Sequence, residues 1–236
     1  MRKVLVATVL AGLMVLLADI AQAQRGGFGR FNTGGTALLQ NKSVQEELKM
    51  TEEQKTKIGE LAKDAQQKRE DVVGKFDFKD KDSFAKVKEA MADPKNKEKL
   101  ASIEQTHLKS ALDLLKPEQQ KRFKQIDRQV MGVEAFTKEE VIKELNLTDP
   151  QKEKIKAIVE EINKDRDELR KSGFTKGGDF KETQKKITAL NKEGVDKAAA
   201  VLTDEQKTKW KDLVGEPFEV RFEGGGGGFG KKKKED

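Results

Sequence analysis

Hydrophobic residues recur at helical spacing through most of the chain. In the clearest run, Ile155, Ile158, Val159 and Ile162 fall on one face of a helix, and most positions between them are Lys or Glu. Similar runs precede and follow it, separated by short polar or glycine-containing breaks. The pattern therefore predicts an all-α protein built from long amphipathic helices.

The start of this helix carries a complete set of N-terminal signals. Residues 147–151 read Leu-Thr-Asp-Pro-Gln. Thr148 suits the N-cap, where its hydroxyl accepts a backbone N–H of the first turn, and Gln151 can reach back to the cap N–H. Pro150 fits a first turn that needs no N–H. These residues predict a capping box.

The same phrase occurs four times. Two copies open long amphipathic runs, and two open short runs that carry Phe123 or Trp210. The order long, short, long, short predicts one structural unit used twice. We interpret the motif positions mainly as helix caps; they are Thr51, Gln54, Pro117, Gln119, Thr148, Gln151, Thr203 and Gln206.

The breaks between runs predict the domain organisation. We expect a signal peptide at 1–23, a flexible Gly-rich linker at 24–40, a first four-helix unit at 41–133, a second four-helix unit at 137–215, and a disordered Gly/Lys tail at 216–236. Thr137 to Glu140 suggests a further capping box. Gly194 is expected to be a weak point within its helix.

The first residues have the form of a secretory signal. Arg2 and Lys3 precede an apolar stretch, and Ala21-Gln-Ala23 resembles a cleavage site. The apolar stretch is shorter than the roughly 20 residues of a membrane span. We therefore predict a cleaved signal and a periplasmic or otherwise exported protein, with an uncleaved membrane anchor as the alternative.

Charge is abundant but nearly balanced. The chain has 48 basic and 42 acidic residues, a formal net charge of +6. Interspersed opposite charges are typical of solvent-exposed helices rather than of one basic face. No nucleic-acid partner is expected, although Arg25-Gly-Gly resembles an RNA-binding segment. The lysines at 231–234 suggest that the tail touches an anionic envelope surface.

The residues offer little for catalysis or metal binding. The chain has no Cys, no Tyr and one His, His107, which lies on an apolar helix face. A single His in that setting is more often packed than a ligand. No pair of carboxylates is marked as buried, which a general acid or base requires. We predict no catalytic residue, no cofactor and no metal site, and hence no enzymatic activity.

The paired Leu-Thr-x-x-Gln phrases resemble the LTxxQ-motif periplasmic family, the Spy/CpxP-like proteins. Met50 replaces the Leu in one copy and Lys116 replaces the Thr in another. The resemblance implies thin, cradle-shaped helical units that pair, either as an internal pseudo-dimer or as a homodimer. It also implies an exported, ATP-independent chaperone-like or envelope-stress protein that binds unfolded or exposed apolar/acidic segments of unfolded or partly folded clients. There are two alternatives: a regulator that binds a membrane sensor, or a non-catalytic envelope protein held by its basic tail.

Overall fold

The computed structural model describes residues 35–75, 80, 82–173 and 180–221. These residues form helices and no strand, which confirms the all-α prediction. None of the described helices is both long and apolar enough to cross a bilayer. The helices are α1 Gly35–Leu39, α2 Lys42–Glu47, α3 Glu52–Val73, α4 Ser83–Ala92, α5 Pro94–Asp113, α6 Pro117–Met131, a 3-10 helix Gly132–Thr137, α7 Glu139–Leu145, α8 Asp149–Gly173, α9 Phe180–Ala200 and α10 Asp204–Val214.

The described residues form two compact units. The N-terminal unit contains those of 35–130 together with Arg221, and the C-terminal unit contains those of 131–220. The predicted signal peptide, residues 24–34 of the predicted linker and residues 222–236 of the predicted tail lie outside the described residues.

The N-terminal unit is organised around the packing of α3 along α5. The short helix α4 contacts both of them, and α1 lies against α3, α5 and α2. Buried apolar side chains come from α1, α2, α3, α5 and α6, and they include Leu38, Leu39, Val44, Leu48, Ile58, Ala111, Phe123 and Ile126. A helix hairpin closed by short helices therefore forms this unit.

The C-terminal unit repeats that plan. Helix α8 packs along α9, the 3-10 helix lies against both, and α7 contacts α10. Its core includes Val133, Phe136, Val141, Leu145, Ile155, Ile162, Ala198 and Trp210. Phe136 stacks on Trp210, with ring centroids 4.0 Å apart. The aromatic residue of the short closing helix is thus buried, as its place on the amphipathic run predicts.

Backbone conformation marks the same points in both units. The first described helix of each unit begins at a glycine with positive φ: α1 at Gly35, with φ 57°, and the 3-10 helix at Gly132, with φ 61°. In each unit a short helix then ends at a left-handed residue, Lys49 at φ 50° and Asn146 at φ 52°, just before the capping Thr. Asn tolerates this conformation better than Lys. The repeat therefore extends to backbone positions that side-chain patterns do not reveal.

The predicted linker is wrong for residues 35–40. Residues 35–39 form α1, and Leu38 and Leu39 are fully buried. Carboxylates from other helices accept the first N–H groups of α1: Glu104 Oε1 lies 3.1 Å from Thr36 N, and Asp127 Oδ1 lies 3.4 Å from Gly35 N. Tertiary burial and these hydrogen bonds stabilise a helix that is too short to show periodicity.

The predicted boundary between the units is also displaced. Residues 131–136 belong to the C-terminal unit, because Val133 and Phe136 of the 3-10 helix are buried in its core. The expected capping box at Thr137 is wrong: the Thr137 hydroxyl donates to the carbonyl of Glu134 at 2.8 Å, and Lys138 takes the N-cap of α7.

The predicted disordered tail is wrong for residues 216–221. Val220 is buried, and the backbone N–H of Arg221 donates to Ser43 Oγ at 3.0 Å. The side chain of Asn41 donates to the carbonyl of Arg221 at 2.9 Å, and Arg221 pairs with Glu46 at 2.8 Å. Residues 216–221 are therefore part of the folded structure, although they form no regular element.

Gly194 is not the weak point that helix propensity suggests. It is buried in α9, and a Cβ added there would lie 2.9 Å from Ile162 Cγ1 and 3.3 Å from Val133 Cβ. Helix α9 can pack this closely against α8 and the 3-10 helix only because residue 194 has no side chain. The helix-propensity cost, about 1 kcal/mol relative to Ala, is offset by this contact.

Candidate functional site: glutamine pairs and helix faces

Two of the predicted capping boxes are complete. The hydroxyls of Thr51 and Thr203 accept the backbone N–H groups of Gln54 and Gln206 at 3.2 and 3.3 Å. In return, the Oε1 atoms of these glutamines accept the N–H groups of Thr51 and Thr203 at 3.0 and 2.9 Å. These four residues begin α3 and α10 as the sequence predicts.

In the other two copies the capping hydrogen bond is made by the glutamine side chain. Gln151 Oε1 accepts the N–H of Thr148 at 3.0 Å, and the Thr148 hydroxyl donates to the same oxygen at 3.3 Å. Gln119 Oε1 accepts the N–H of Lys116 at 2.8 Å, ahead of Pro117, the first residue of α6. The glutamine contact is thus common to all four copies, whereas the hydroxyl contact varies.

The glutamines of the N-terminal unit also bind each other. Gln54 Nε2 donates to Gln119 Oε1 at 2.9 Å and to the carbonyl of Leu114 at 2.8 Å. Gln119 Nε2 donates to Gln54 Oε1 at 3.3 Å and to the carbonyl of Leu48 at 2.9 Å. Each glutamine therefore caps its own helix. Each also donates a hydrogen bond to a backbone carbonyl at the end of a different helix.

The C-terminal unit contains the same reciprocal pair. Gln151 Nε2 donates to Gln206 Oε1 at 2.7 Å and to the carbonyl of Val201 at 3.1 Å. Gln206 Nε2 donates to Gln151 Oε1 at 3.0 Å and to the carbonyl of Leu145 at 3.2 Å. The two pairs join the start of each long helix to the start of each closing helix.

Sequence reasoning found the caps but missed this pairing. The available signal was that Gln occupies all four copies, although Lys116 replaces one Thr and Met50 replaces one Leu. An exposed cap does not require a particular N3 residue so strictly. The motif residues thus form structural joints, and Gln206, only 8% exposed, presents little surface to a ligand.

His107 is buried and hydrogen-bonded on both sides. Its Nδ1 lies 2.6 Å from the carbonyl oxygen of Ile103, and its Nε2 lies 2.7 Å from Asp64 Oδ2. The hydrogen bond from His107, followed by that from Lys68, holds the pKa of Asp64 below its ordinary value. Because both ring nitrogens are engaged, the geometry favours the predicted packed His over a metal ligand. Across the described ranges, no cluster of three His, Asp or Glu side chains could hold a metal ion.

Several exposed charges pair within one turn of their own helix. Lys57 pairs with Glu53 at 2.7 Å, and Lys143 pairs with Glu139 at 2.6 Å. The side-chain hydrogen bond in each pair, with the charge of the lysine, lowers the pKa of Glu53 and of Glu139. Because solvent screens such exposed pairs, they contribute little to stability.

An open groove runs between α3 and α5, with a volume of about 380 Å³. Val72 and Ile103, both half-buried, supply its apolar surface. Lys68, Asp71, Lys99 and Ser102 surround them. This groove therefore combines apolar and charged groups.

Comparison with known proteins gives no relative for this chain. No protein-family model, no curated protein and no solved structure matches it.

Proposed function

We propose that this protein is an exported, ATP-independent chaperone-like protein that binds unfolded polypeptide segments on the faces of its long helices. The main supporting observation is how little of each long helix is buried. In the 22 residues of α3, only Ile58 and Ala65 are buried. Apolar residues such as Leu61 and Val73 stay half-exposed beside lysines.

Such a surface suits weak binding of many sequences. Half-exposed apolar side chains attract apolar segments, and long lysine stems can cover or uncover that surface while their charges stay in water. The LTxxQ-like motif and the signal-like residues 1–23 add support, since both suggest an exported Spy/CpxP-like protein with two tandem units.

The test is an aggregation assay with residues 24–236 and no ATP. A chemically unfolded client is diluted into buffer, and light scattering is followed with and without the protein. We expect suppression at near-stoichiometric amounts. No effect at about tenfold excess contradicts a general chaperone function; crosslinking to one dominant partner would then favour the regulator that binds a membrane sensor.

A matched pair of variants sharpens this assay. Leu61 and Ile158 occupy corresponding half-buried positions on α3 and α8. The double variant Leu61→Gln/Ile158→Gln should lose suppression while it remains folded. Lys63→Gln/Glu160→Gln, at corresponding exposed positions, leaves the net charge unchanged and should behave as wild type.

A further inference from the structure

We propose that the groove between α3 and α5 is a docking groove for acidic polypeptide segments that carry an apolar side chain. This inference rests on the proposed function and names the class of segment and the place where it binds. It starts from the groove described above, whose apolar surface comes from Val72 and Ile103.

Two lysines and one aspartate are the charged residues that line the groove. Lys99 lies on α5 beside Ile103, and it has no ion-pair partner among the described residues. Lys95 lies one turn before Lys99 on α5, and it is not paired within the described ranges. Lys68 pairs with Asp64 at 2.7 Å. Asp71, whose carboxylate accepts a hydrogen bond from Gln67, is the acidic group of the lining.

The C-terminal unit lacks this combination at the corresponding place. Aligning the two units on their glutamine pairs puts Asp165 opposite Lys68, Leu169 opposite Val72, and Leu190 opposite Ile103. The counterpart of Lys99 is Lys186, which pairs with Glu182 at 2.8 Å. The apolar positions are therefore kept in both units, whereas the lysine that corresponds to Lys99 is paired on its own helix.

Charge complementarity determines the occupant. Unpaired lysines attract carboxylates, and the apolar surface between them gains from burying a Leu or Val side chain. None of the described residues that line the groove is aromatic, so the lining offers no side chain on which a base could stack. An acidic amphipathic peptide satisfies both features of the surface.

The test is fluorescence anisotropy with short labelled peptides and the folded protein. The first peptide combines Glu and Leu, the second Lys and Leu, and the third Glu and Ser. We expect binding of the Glu/Leu peptide and at least about tenfold weaker binding of the other two, with affinity falling as salt rises. Equal binding of the Lys/Leu peptide would overturn the proposal.

Matched variants locate the binding. Lys95→Glu/Lys99→Glu should weaken binding of the Glu/Leu peptide by about tenfold, from two lost surface attractions and two new repulsions. Lys185→Glu/Lys192→Glu changes exposed lysines on α9 by the same total charge and should have little effect. Val72→Thr, which keeps the side-chain shape, should weaken binding severalfold. If the α5 and α9 variants weaken binding equally, the groove is not the site.

Two further outcomes separate this inference from the proposed function. If the variant Lys95→Glu/Lys99→Glu suppresses aggregation as well as the wild type does, the groove is not the binding site, and the proposed chaperone function is unaffected. Peptide binding at the groove without any suppression would support the groove and contradict the chaperone function. Binding of anionic phosphatidylglycerol vesicles, but not of the Glu/Leu peptide, would replace the polypeptide with a lipid surface and overturn the proposal.

Discussion

The N-terminal and C-terminal units have the same glutamine joint but fill the middle of their helix hairpins differently. In the N-terminal unit α5 contributes His107, and the corresponding residue of α9 is Gly194. The size relation is reversed on the long helix, where Ala65 of α3 corresponds to Ile162 of α8. The larger side chain therefore comes from the returning helix in one unit and from the long helix in the other.

This difference shows that one hairpin geometry accepts two kinds of filling. His107 reaches Asp64 and forms a polar link between α3 and α5. Ile162 packs directly against the backbone at Gly194 and forms an apolar contact between α8 and α9. The joint sets where the helices meet, and the residues along the hairpin decide whether charge or close packing holds them together.

The largest loss of stability in either unit should come from substitutions in its hydrophobic core. Phe123 in the N-terminal unit and Phe136 in the C-terminal unit are each 1% exposed. We expect each Phe→Ala change to cost about 3–5 kcal/mol, because it leaves a cavity. Hydrogen–deuterium exchange resolved along the chain should show faster exchange in the altered unit. Uniform acceleration in both units for both variants would mean that they unfold together.

The next largest effect tests the exchange of large and small side chains. Gly194→His should destabilise the C-terminal unit by about 1–3 kcal/mol, because the new side chain meets Ile162. Adding Ile162→Ala should recover part of the loss, so that the two changes are coupled. Urea unfolding followed by fluorescence of Trp210, the one Trp of the chain, measures this. Simple additivity of the two losses would contradict the proposed correspondence.

The glutamine pairs should be worth less than the cores and should differ between units. Gln206→Ala leaves buried partners without a hydrogen bond and should cost about 2 kcal/mol; Gln119→Ala, at a half-buried site, should cost about 1 kcal/mol. Urea unfolding by circular dichroism and hydrogen exchange measures both. The exposed Gln105→Ala serves as control, with a change within about 0.5 kcal/mol. Losses no larger than this control would show that the pairs are incidental.

A smaller change should make the two units more alike. Lys116 holds the cap position that Thr203 holds in the other unit. Lys116→Thr supplies the missing hydroxyl and should stabilise α6 by about 0.5–1 kcal/mol. Slower hydrogen exchange in the first turn of α6 would confirm it, and the reverse change Thr203→Lys should destabilise α10 by a similar amount.

The smallest effect concerns pH and the polar filling of the N-terminal unit. The pKa of Asp64 is lowered in the folded state, first by the hydrogen bond from His107 and then by Lys68. Its contribution to stability is therefore present above its ordinary pKa and is lost as pH falls through the lower folded value. Asp64→Asn should be less stable than wild type near pH 7, and the difference should shrink below pH 4. A pH-independent difference would exclude this linkage.

The sequence predicted what depends on local signals. Caps such as Thr51 and the start of α8 follow from short-range patterns, and they are found in the structure. Helix α1 escaped notice because five residues after a Gly-rich segment cannot show a period; its stability comes from Glu104 and Asp127, far along the chain.

The candidate sites needed spatial information for the same reason. Each glutamine could be assigned to a cap from its own helix, but its partner lies in another helix. The lysines of the α3–α5 groove look like ordinary charged positions until α3 and α5 are placed side by side. Charge that is balanced along the sequence is thus unevenly distributed between the two units.

The glutamine pairs also have a consequence for the order of folding. Gln54 and Gln119 are 65 positions apart, and Gln151 and Gln206 are 55 apart. Such a contact can form only after the whole hairpin between its members has closed, so it should be absent from the folding transition state. Interactions that form after the folding transition state lower the unfolding rate and leave the folding rate almost unchanged. The pairs would then act mainly as kinetic locks, which lengthen the lifetime of each folded unit.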